Sequence, residues 1–495
     1  MTPSCARVRL WVPPLPTMQR DKLQFGFYVL AVLSAAIVFL LVYGFPVSPA
    51  LPGSIPDSNP RPWNAGRPGL VERLMTYLQR EDSPQDVLKD QLSNEIPAGP
   101  ERNSSGRRIH GSVPVACRTN DVSEVLAMQP IKFLPEYKNP CWREEVVQPA
   151  DDMYHGNLFA NYSYRYEKIF RTFRQQWAKR LDRFRLRCLP YFFIAGMPKC
   201  GSTDLYHRLI AHPDVAAPPV KESHWWGKNR YGWCLNYTSH IPFSDYVDLF
   251  DGAAMQIADS NPEGHDLNTF HTKITGDASV STLWANEDWW KNPENCGLLE
   301  PRFTNAHYLH HVIPQARVIV LLRNPTDRLY SDFLFFHQLE KSPQDFHRDV
   351  ESSIHQLTQC MQEMGVRNCI YNSSLSSNSR VRLRLGLYHV YLQEWLTQFP
   401  RNQVTVIRLE DYAARPLLTI KHVRKFLGLR ELTEREDKVI LRQPKVNTRR
   451  LSDRKLGRML ASTRELLDNF YRPYNVKLAL LLEDDRFLWN DVEYI

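Results

Sequence analysis

YFFIAGMPKCGSTDLYHRLI, Tyr191 to Ile210, decides the fold. YFFIAG is a short, nearly uninterrupted apolar run, the pattern of a strand buried on both faces of a parallel sheet. MPKCGST then makes a turn, and DLYHRLIAHP resumes with the apolar spacing of a helix. Gly196 and Gly201 let backbone approach an anion closely, the helix start offers free N–H groups, and Lys199 adds a mobile positive charge. The residue order is not GxxxxGK[ST], which disfavours a nucleoside-triphosphate kinase or ATPase. A glycine turn with a purely structural role is the alternative at this point.

Two further units repeat the pattern. In ARVIVLLRNPTDRLYSDFLFFHQL, Ala316 to Leu322 is strand-like and Thr326 to Leu339 helix-like. QVTVIRLE, Gln403 to Glu410, is a weaker strand ahead of DYAARPLLTIKHVRKFLGL, whose latter part has helical spacing. Apolar strands separated by helices predict an α/β fold, a parallel sheet flanked by helices, with ligand chemistry at the carboxyl ends of the strands. Arg323 falls just beyond the second strand and Ser331 eight residues later in the following helix, a pair suited to a second phosphate.

Outside this core the chain changes character. With 43% hydrophobic and 23% charged residues, the 495-residue chain is mostly folded, not disordered. A formal charge of +8 favours an anionic partner, whether nucleic acid, acidic lipid or sulfated polysaccharide. FGFYVLAVLSAAIVFLLVYGF, Phe25 to Phe45, carries no charge and reaches about 30 Å as a helix, enough to span a bilayer. Arg7, Arg9, Arg20 and Lys22 precede it against Asp21, so the positive-inside rule predicts a cytosolic tail (1–24), a signal-anchor helix (25–45) and type II topology. A cleaved signal peptide is the rival, but its apolar core is shorter and a small-residue cleavage site follows it, whereas this run ends YGFPVS.

Residues 46–114, rich in Pro, Gly, Ser and Asn, read as a lumenal stem. Residues 115–187 form an extension, and 188–495 the main domain. Within the extension, YRYEKIFRTFRQQWAKRLDRFRLR from Tyr164 has helical spacing and a basic face that serves either solubility or the guidance of an acidic polymer. Acceptor sequons at Asn103, Asn161, Asn236 and Asn372 all follow the apolar span, as do eight of the nine cysteines. In an oxidising compartment several cysteines pair, Cys360 with Cys369 being the easiest local choice. No CxxC or tight His/Cys cluster suggests a metal.

PKCGST and LLRNPTDRLYSDF, in that order, resemble the 5'-phosphosulfate loop and the 3'-phosphate motif of the sulfotransferase family, whose fold is like that of the P-loop nucleotide kinases. The resemblance implies that 3'-phosphoadenosine 5'-phosphosulfate is the sulfuryl donor. Lys199 would contact its 5' phosphate and bridging oxygen, Cys200, Gly201, Ser202, Thr203 and Asp204 would line the same loop, and Arg323 and Ser331 would hold the 3'-phosphate. Asp204 alternatively serves the first helical turn, and Arg328 an ion pair within its helix.

PPVKESHWW, Pro218 to Trp226, resembles the KExHFF stretch of the Golgi carbohydrate sulfotransferases. It implies Glu222 as catalytic base, with His224 the runner-up and Lys221 near the donor sulfonate. Trp225 and Trp226 replace the more usual phenylalanines and form either a sugar-stacking wall or core. ITGDASVSTLW, Ile274 to Trp284, departs from the family's commoner pattern, leaving Asp277 and Ser279 to orient the acceptor or support the sheet end.

The closing segment from Lys445 resembles one subgroup, which adds sulfate at C6 of 4-sulfated N-acetylgalactosamine. It implies a basic closing loop of Asn447, Thr448, Arg449 and Arg450, and structural roles for Tyr471 and Tyr474. Membership would make chondroitin or dermatan sulfate the acceptor, with Arg380, Arg382 and Arg384 as further contacts or merely solvated residues. It also implies a Golgi membrane location, no nucleic-acid partner and no catalytic metal; a homo-oligomer is neither required nor excluded. A heparan sulfate O-sulfotransferase and an inactive lumenal glycan-binding protein are the alternatives.

Overall fold

The computed structural model describes residues 123–146, 153–180, 183–232, 240–260, 270–337, 341–446 and 448–490. The expected tail, membrane span and stem lie outside these residues, as do Asn103, Asn236 and Asn447. Among the described residues no helix is long and apolar enough to cross a membrane.

Strand β1 (Cys141–Glu145) pairs antiparallel with β2 (Phe184–Cys188), and a disulfide joins Cys141 to Cys188. Between them in sequence, α1 (Tyr164–Trp177) buries Tyr166, Phe170, Phe173 and Trp177, spaced four, three and four residues apart, and turns its basic residues outward. The helical pattern therefore stops short of FRLR, which lies in strand β2. Arginine at every second position fits a strand edge as well as a helix face, and the partner that decides it, β1, lies far earlier in the chain. Arg187 of this run is not solvated: it is buried, and its guanidinium meets Asp248 at 2.7 Å and also Asp251.

The central sheet has four parallel strands: β3 (Phe192–Gly196), β4 (Gly276–Asp277), β5 (Arg317–Leu322) and β6 (Val404–Arg408), ordered β4-β3-β5-β6. Every residue of β3 is buried, as is β5 beyond Arg317, which is why both read as unbroken apolar runs. After β3 come α2 (Ser202–Ile210) and α3 (Asp251–Ala258), and the chain then adds β4 at one edge. It returns to place β5 on the other side of β3, followed by α4 (Pro325–Phe336). Connections thus diverge between β3 and β5, opening a crevice at their carboxyl ends.

The long α5 (Ala461–Leu482) closes the domain and buries Tyr471, whose hydroxyl donates to the Leu383 carbonyl at 2.8 Å. Tyr474 is half-buried, its hydroxyl 3.3 Å from Met361 Sδ. Cys360 and Cys369 form the expected local disulfide, Cys296 is also disulfide-bonded, and Cys200 is a buried free thiol. Asn161 is exposed in the turn before α1. Asn372 caps the helix Ser373–Asn378, its Oδ1 accepting the Leu375 N–H at 3.0 Å.

Candidate active site

The turn Met197–Gly201 leaves β3 at its carboxyl end and is fastened on both sides. The Met197 N–H donates to the Leu321 carbonyl at 2.7 Å, and the Leu283 N–H to the Ala195 carbonyl at 2.8 Å. Lys199 (φ 66°) and Gly201 (φ 85°) are both left-handed, which swings the chain sharply into α2. Glycine is needed at 201 twice over, since a Cβ there would also stand 2.8 Å from Leu409. Lys199 Nζ lies 3.7 Å from the centre of the Phe335 ring. Burial lowers its pKa, Asp332 pulls the other way, and Arg323, Arg382 and Arg450 lower it further, to about 8.

Arg323 stands half-buried at the end of β5. There the Asn324 carboxamide caps α4 by accepting the Thr326 and Asp327 N–H groups at 3.0 and 3.2 Å, with Pro325 in the first helical position. Ser331 is half-buried on α4. Arg450 faces the Phe335 ring at 5.4 Å and Arg449 the Tyr330 ring at 5.6 Å; Thr448 beside them is exposed. Among the described residues, Lys199, Arg323, Arg449 and Arg450 have no carboxylate partner. Unpaired cations around a left-handed turn and a helix start are a fit for a ligand carrying several phosphate or sulfate groups.

Two residues expected in this loop, Cys200 and Asp204, make other contacts. The Cys200 thiol is fully buried, its pKa pushed up to about 12 by that burial, and its Sγ lies 3.6 Å from the Pro198 carbonyl, so the side chain packs beneath the turn. Asp204 is turned to Arg208 at 2.7 Å and to the Tyr412 hydroxyl at 2.5 Å, fastening α2 instead of facing a ligand. Ser202 is buried in the first turn of α2, whereas Thr203 is half-buried. Arg328 has the internal role expected of it, fully buried with Asp332 at 3.6 Å.

Lys221 to Trp226 form a second loop, beside the carboxyl end of β4. Glu222 (φ 84°) and His224 (φ 53°) are left-handed as well, a conformation that costs a non-glycine residue about 1–3 kcal/mol and persists only when its surroundings enforce it. The enforcement is visible. Ser279 gives its N–H and hydroxyl to Asp277 Oδ1 at 2.8 and 2.5 Å, while Ser223 and Tyr246 hydroxyls donate to Oδ2 at 3.0 and 2.9 Å. Ser279 Oγ in turn accepts the His224 N–H at 3.0 Å. His224 Nδ1 is 2.7 Å from Ser281 Oγ, and its Nε2 is 3.4 Å from Glu222 Oε2. Lys221 Nζ contacts Glu222 Oε1. Burial pushes the Glu222 carboxyl up, but the hydrogen bond from His224 and the charge of Lys221 outweigh it and hold the group at about 2.

Four expectations for substrate contact change here. Trp225 and Trp226 are fully buried, their indole N–H groups donating to the Ile241 carbonyl and the Tyr246 hydroxyl, both at 3.1 Å, so neither offers a face to a sugar. Asp277 and Ser279 are buried too, and they hold the loop from below without reaching the surface. Ser281 and Tyr246 were missed by the sequence reading; the two hydroxyls of Ser279 and Ser281, close together just after Asp277, were the available signal.

The segment that carries these serines also joins the two loops. Leu283 binds β3 and packs on Gly196, where a Cβ would stand 2.7 Å from its side chain. Next to it, the Trp284 ring lies 5.8 Å from Arg382, and Arg382 clasps Asp332 with two N–H groups, one at 2.8 Å. Arg384, expected at a surface, is buried with Glu287 at 2.6 Å, whereas Arg380 is exposed 3.5 Å from Asp349.

Residues 189–465 match the model of the sulfotransferase domain family. The chain belongs to the sulfotransferase family. It is 42% identical over 374 residues to carbohydrate sulfotransferase 15 of Homo sapiens, covering 73% of this chain and 66% of that protein, just under two thirds of its length. A second relative, bifunctional heparan sulfate N-deacetylase/N-sulfotransferase 2 of Bos taurus, is 24% identical over 362 residues, 71% of this chain and 33% of that one. Among solved structures, a sulfotransferase from Alicyclobacillus acidocaldarius aligns at 23% identity over 60% of this chain and 97% of that one, with a TM-score of 0.39. Within this sulfotransferase, the family match begins at the residue after Cys188 and takes in both loops.

Proposed function

We propose that this sulfotransferase moves the sulfuryl group of 3'-phosphoadenosine 5'-phosphosulfate to the C6 hydroxyl of 4-sulfated N-acetylgalactosamine in chondroitin or dermatan sulfate, forming the 4,6-disulfated unit. In this proposal it works in the Golgi lumen, anchored as a single-pass type II protein, on a fold akin to the P-loop nucleotide kinases. The observation that carries the reading is the strap Asp277–Trp284, which ties an ionised carboxylate, Glu222, to a turn whose cations lack partners. The 42% identity to a named carbohydrate sulfotransferase supports the same chemistry.

In this proposal the labour is divided between the two loops. Arg323, Ser331, Arg449 and Arg450 hold the donor's phosphates, with the free N–H groups at the start of α2. Glu222 receives the proton of the acceptor hydroxyl, whose oxygen forms the new S–O bond as the bond from sulfur to the phosphate oxygen breaks. Lys199 stabilises the charge left on that phosphate. His224 has both ring nitrogens engaged, so it orients Glu222 and is not the base.

The test is transfer from radiolabelled donor to 4-sulfated chondroitin, dermatan and heparan chains, with product disaccharides resolved. A 4,6-disulfated galactosamine unit is the expected product. Transfer to heparan alone would move the acceptor and keep the donor chemistry, and absence of donor binding would overturn the reading.

A further inference from the structure

Helix α1 carries Arg165, Lys168, Thr172 and Gln176 at intervals of three, four and four residues, a single stripe on a helical surface, and Lys179 in the turn that follows continues it. All five are exposed, and the stripe extends about 21 Å at 1.5 Å per residue. One end reaches the base loop: the Arg165 guanidinium lies 3.5 Å from the carbonyl of Pro219, two residues before Lys221. Toward the other end the stripe forms a wall of a groove of about 440 Å³ between α1 and α3. Thr172, Gln176 and Lys179 line one side, and Ala217, Pro219 and Gln256 the other.

The charge along this face is one-sided. A merely solvated helix face mixes acids with bases, but Glu167 is the only acid between Tyr164 and Arg180, and it is paired with Arg171 at 2.5 Å, off the stripe. Asp259 also lines the groove, with its carboxylate held by Arg180 at 2.5 Å. Among the described residues Arg165, Lys168 and Lys179 have no acidic partner. The Thr172 hydroxyl and Gln176 amide lie between the cations Lys168 and Lys179, a mixture suited to a chain bearing both anionic groups and sugar hydroxyls.

We infer that this stripe and groove are an extended subsite for the anionic glycan chain, gripping sugars beyond the one that reacts and leading them to Glu222. The inference rests on the glycan acceptor proposed above. It makes α1, part of the extension ahead of the family domain, a determinant of chain-length preference.

The test uses the full-length chain in detergent and the double variant Lys168→Glu/Lys179→Glu, both residues being outside the catalytic machinery. Transfer to long 4-sulfated chondroitin and to a short oligosaccharide is measured with direct binding of labelled long chains, binding of adenosine 3',5'-bisphosphate and thermal melting. The KM and Kd for long chains should rise roughly tenfold, with weaker salt dependence, while kcat, the short acceptor and nucleotide binding stay as they were. Unchanged long-chain binding, or equal losses on long and short acceptors, would overturn the subsite and leave the proposed reaction standing. A wild-type chain that binds long chondroitin through these lysines yet transfers nothing to it would sink the reaction and keep the subsite. Failure of the wild-type chain to bind long chondroitin would overturn the subsite.

Discussion

The turn after β3 and the loop beside β4 solve opposite problems. Around the first, Lys199, Arg323 and Arg450 form no ion pair with a carboxylate, and the repulsion of Lys199 by Arg323 and Arg450, which Asp332 opposes, is relieved by an incoming anion. In the second, nearly every polar group is satisfied internally: Asp277 accepts from Ser223, Ser279 and Tyr246, and Glu222 is matched by Lys221 and His224. The first region is incomplete without a ligand, and the second is complete before one arrives. The difference separates binding from chemistry. A polyanion is drawn to unpaired charge, whereas a proton acceptor needs a fixed position and an assured ionisation state.

That contrast is broken most directly at Glu222. Glu222→Gln should lower kcat about 10³-fold while leaving nucleotide affinity within twofold, read by radiolabelled transfer and calorimetry. Loss of nucleotide binding instead would mean that the two regions are one. Lys199→Ala should cost about 10²-fold in kcat and also weaken nucleotide binding, because the proposed reaction gives this side chain a part in both binding and chemistry; an unaffected kcat would remove it from the reaction. Asp277→Ala should destabilise the domain by about 3 kcal/mol through its orphaned donors, seen as a lower urea midpoint. The corresponding loss for Arg449→Ala, an exposed side chain, should be under about 0.5 kcal/mol.

The smallest effect is on pH dependence. Lys199 titrates at about 8 in the free protein, so its charge is present below that value and lost above it. The profile of kcat/KM should therefore turn down above about pH 8. That of kcat should turn down later, since bound phosphates favour the ammonium form. Glu222, held at about 2, is ionised throughout the ordinary range and should contribute no acid limb above about pH 3. An acid limb removed by Glu222→Asp would show that its carboxyl sits higher.

How much of this was legible depended on how local the cause was. The strands β3, β5 and β6 announced themselves because burial on both faces demands unbroken apolar runs, and Asn324-Pro325 fixed the start of α4 through its own cap. The positions of Lys199, Arg323 and Glu222 followed from short motifs. What was not legible depended on distant partners. FRLRC is a strand because Cys141–Glu145 lies against it. Trp225 and Trp226 are core because Ile241 and Tyr246 receive their N–H groups. Arg384 is buried because Glu287 neutralises it, a pairing that sequence distance conceals.

Cys200 gives the phosphate turn a chemical dimension of its own. In a domain wired by Cys141–Cys188 and Cys360–Cys369, a spare thiol is a standing threat, since thiolate attack on a disulfide would rewire the chain. Here the thiol has no exposed surface and ionises only near pH 12, so it is both out of reach and in its unreactive form. The tightness of this turn also insulates the protein's covalent wiring from its own unpaired sulfur.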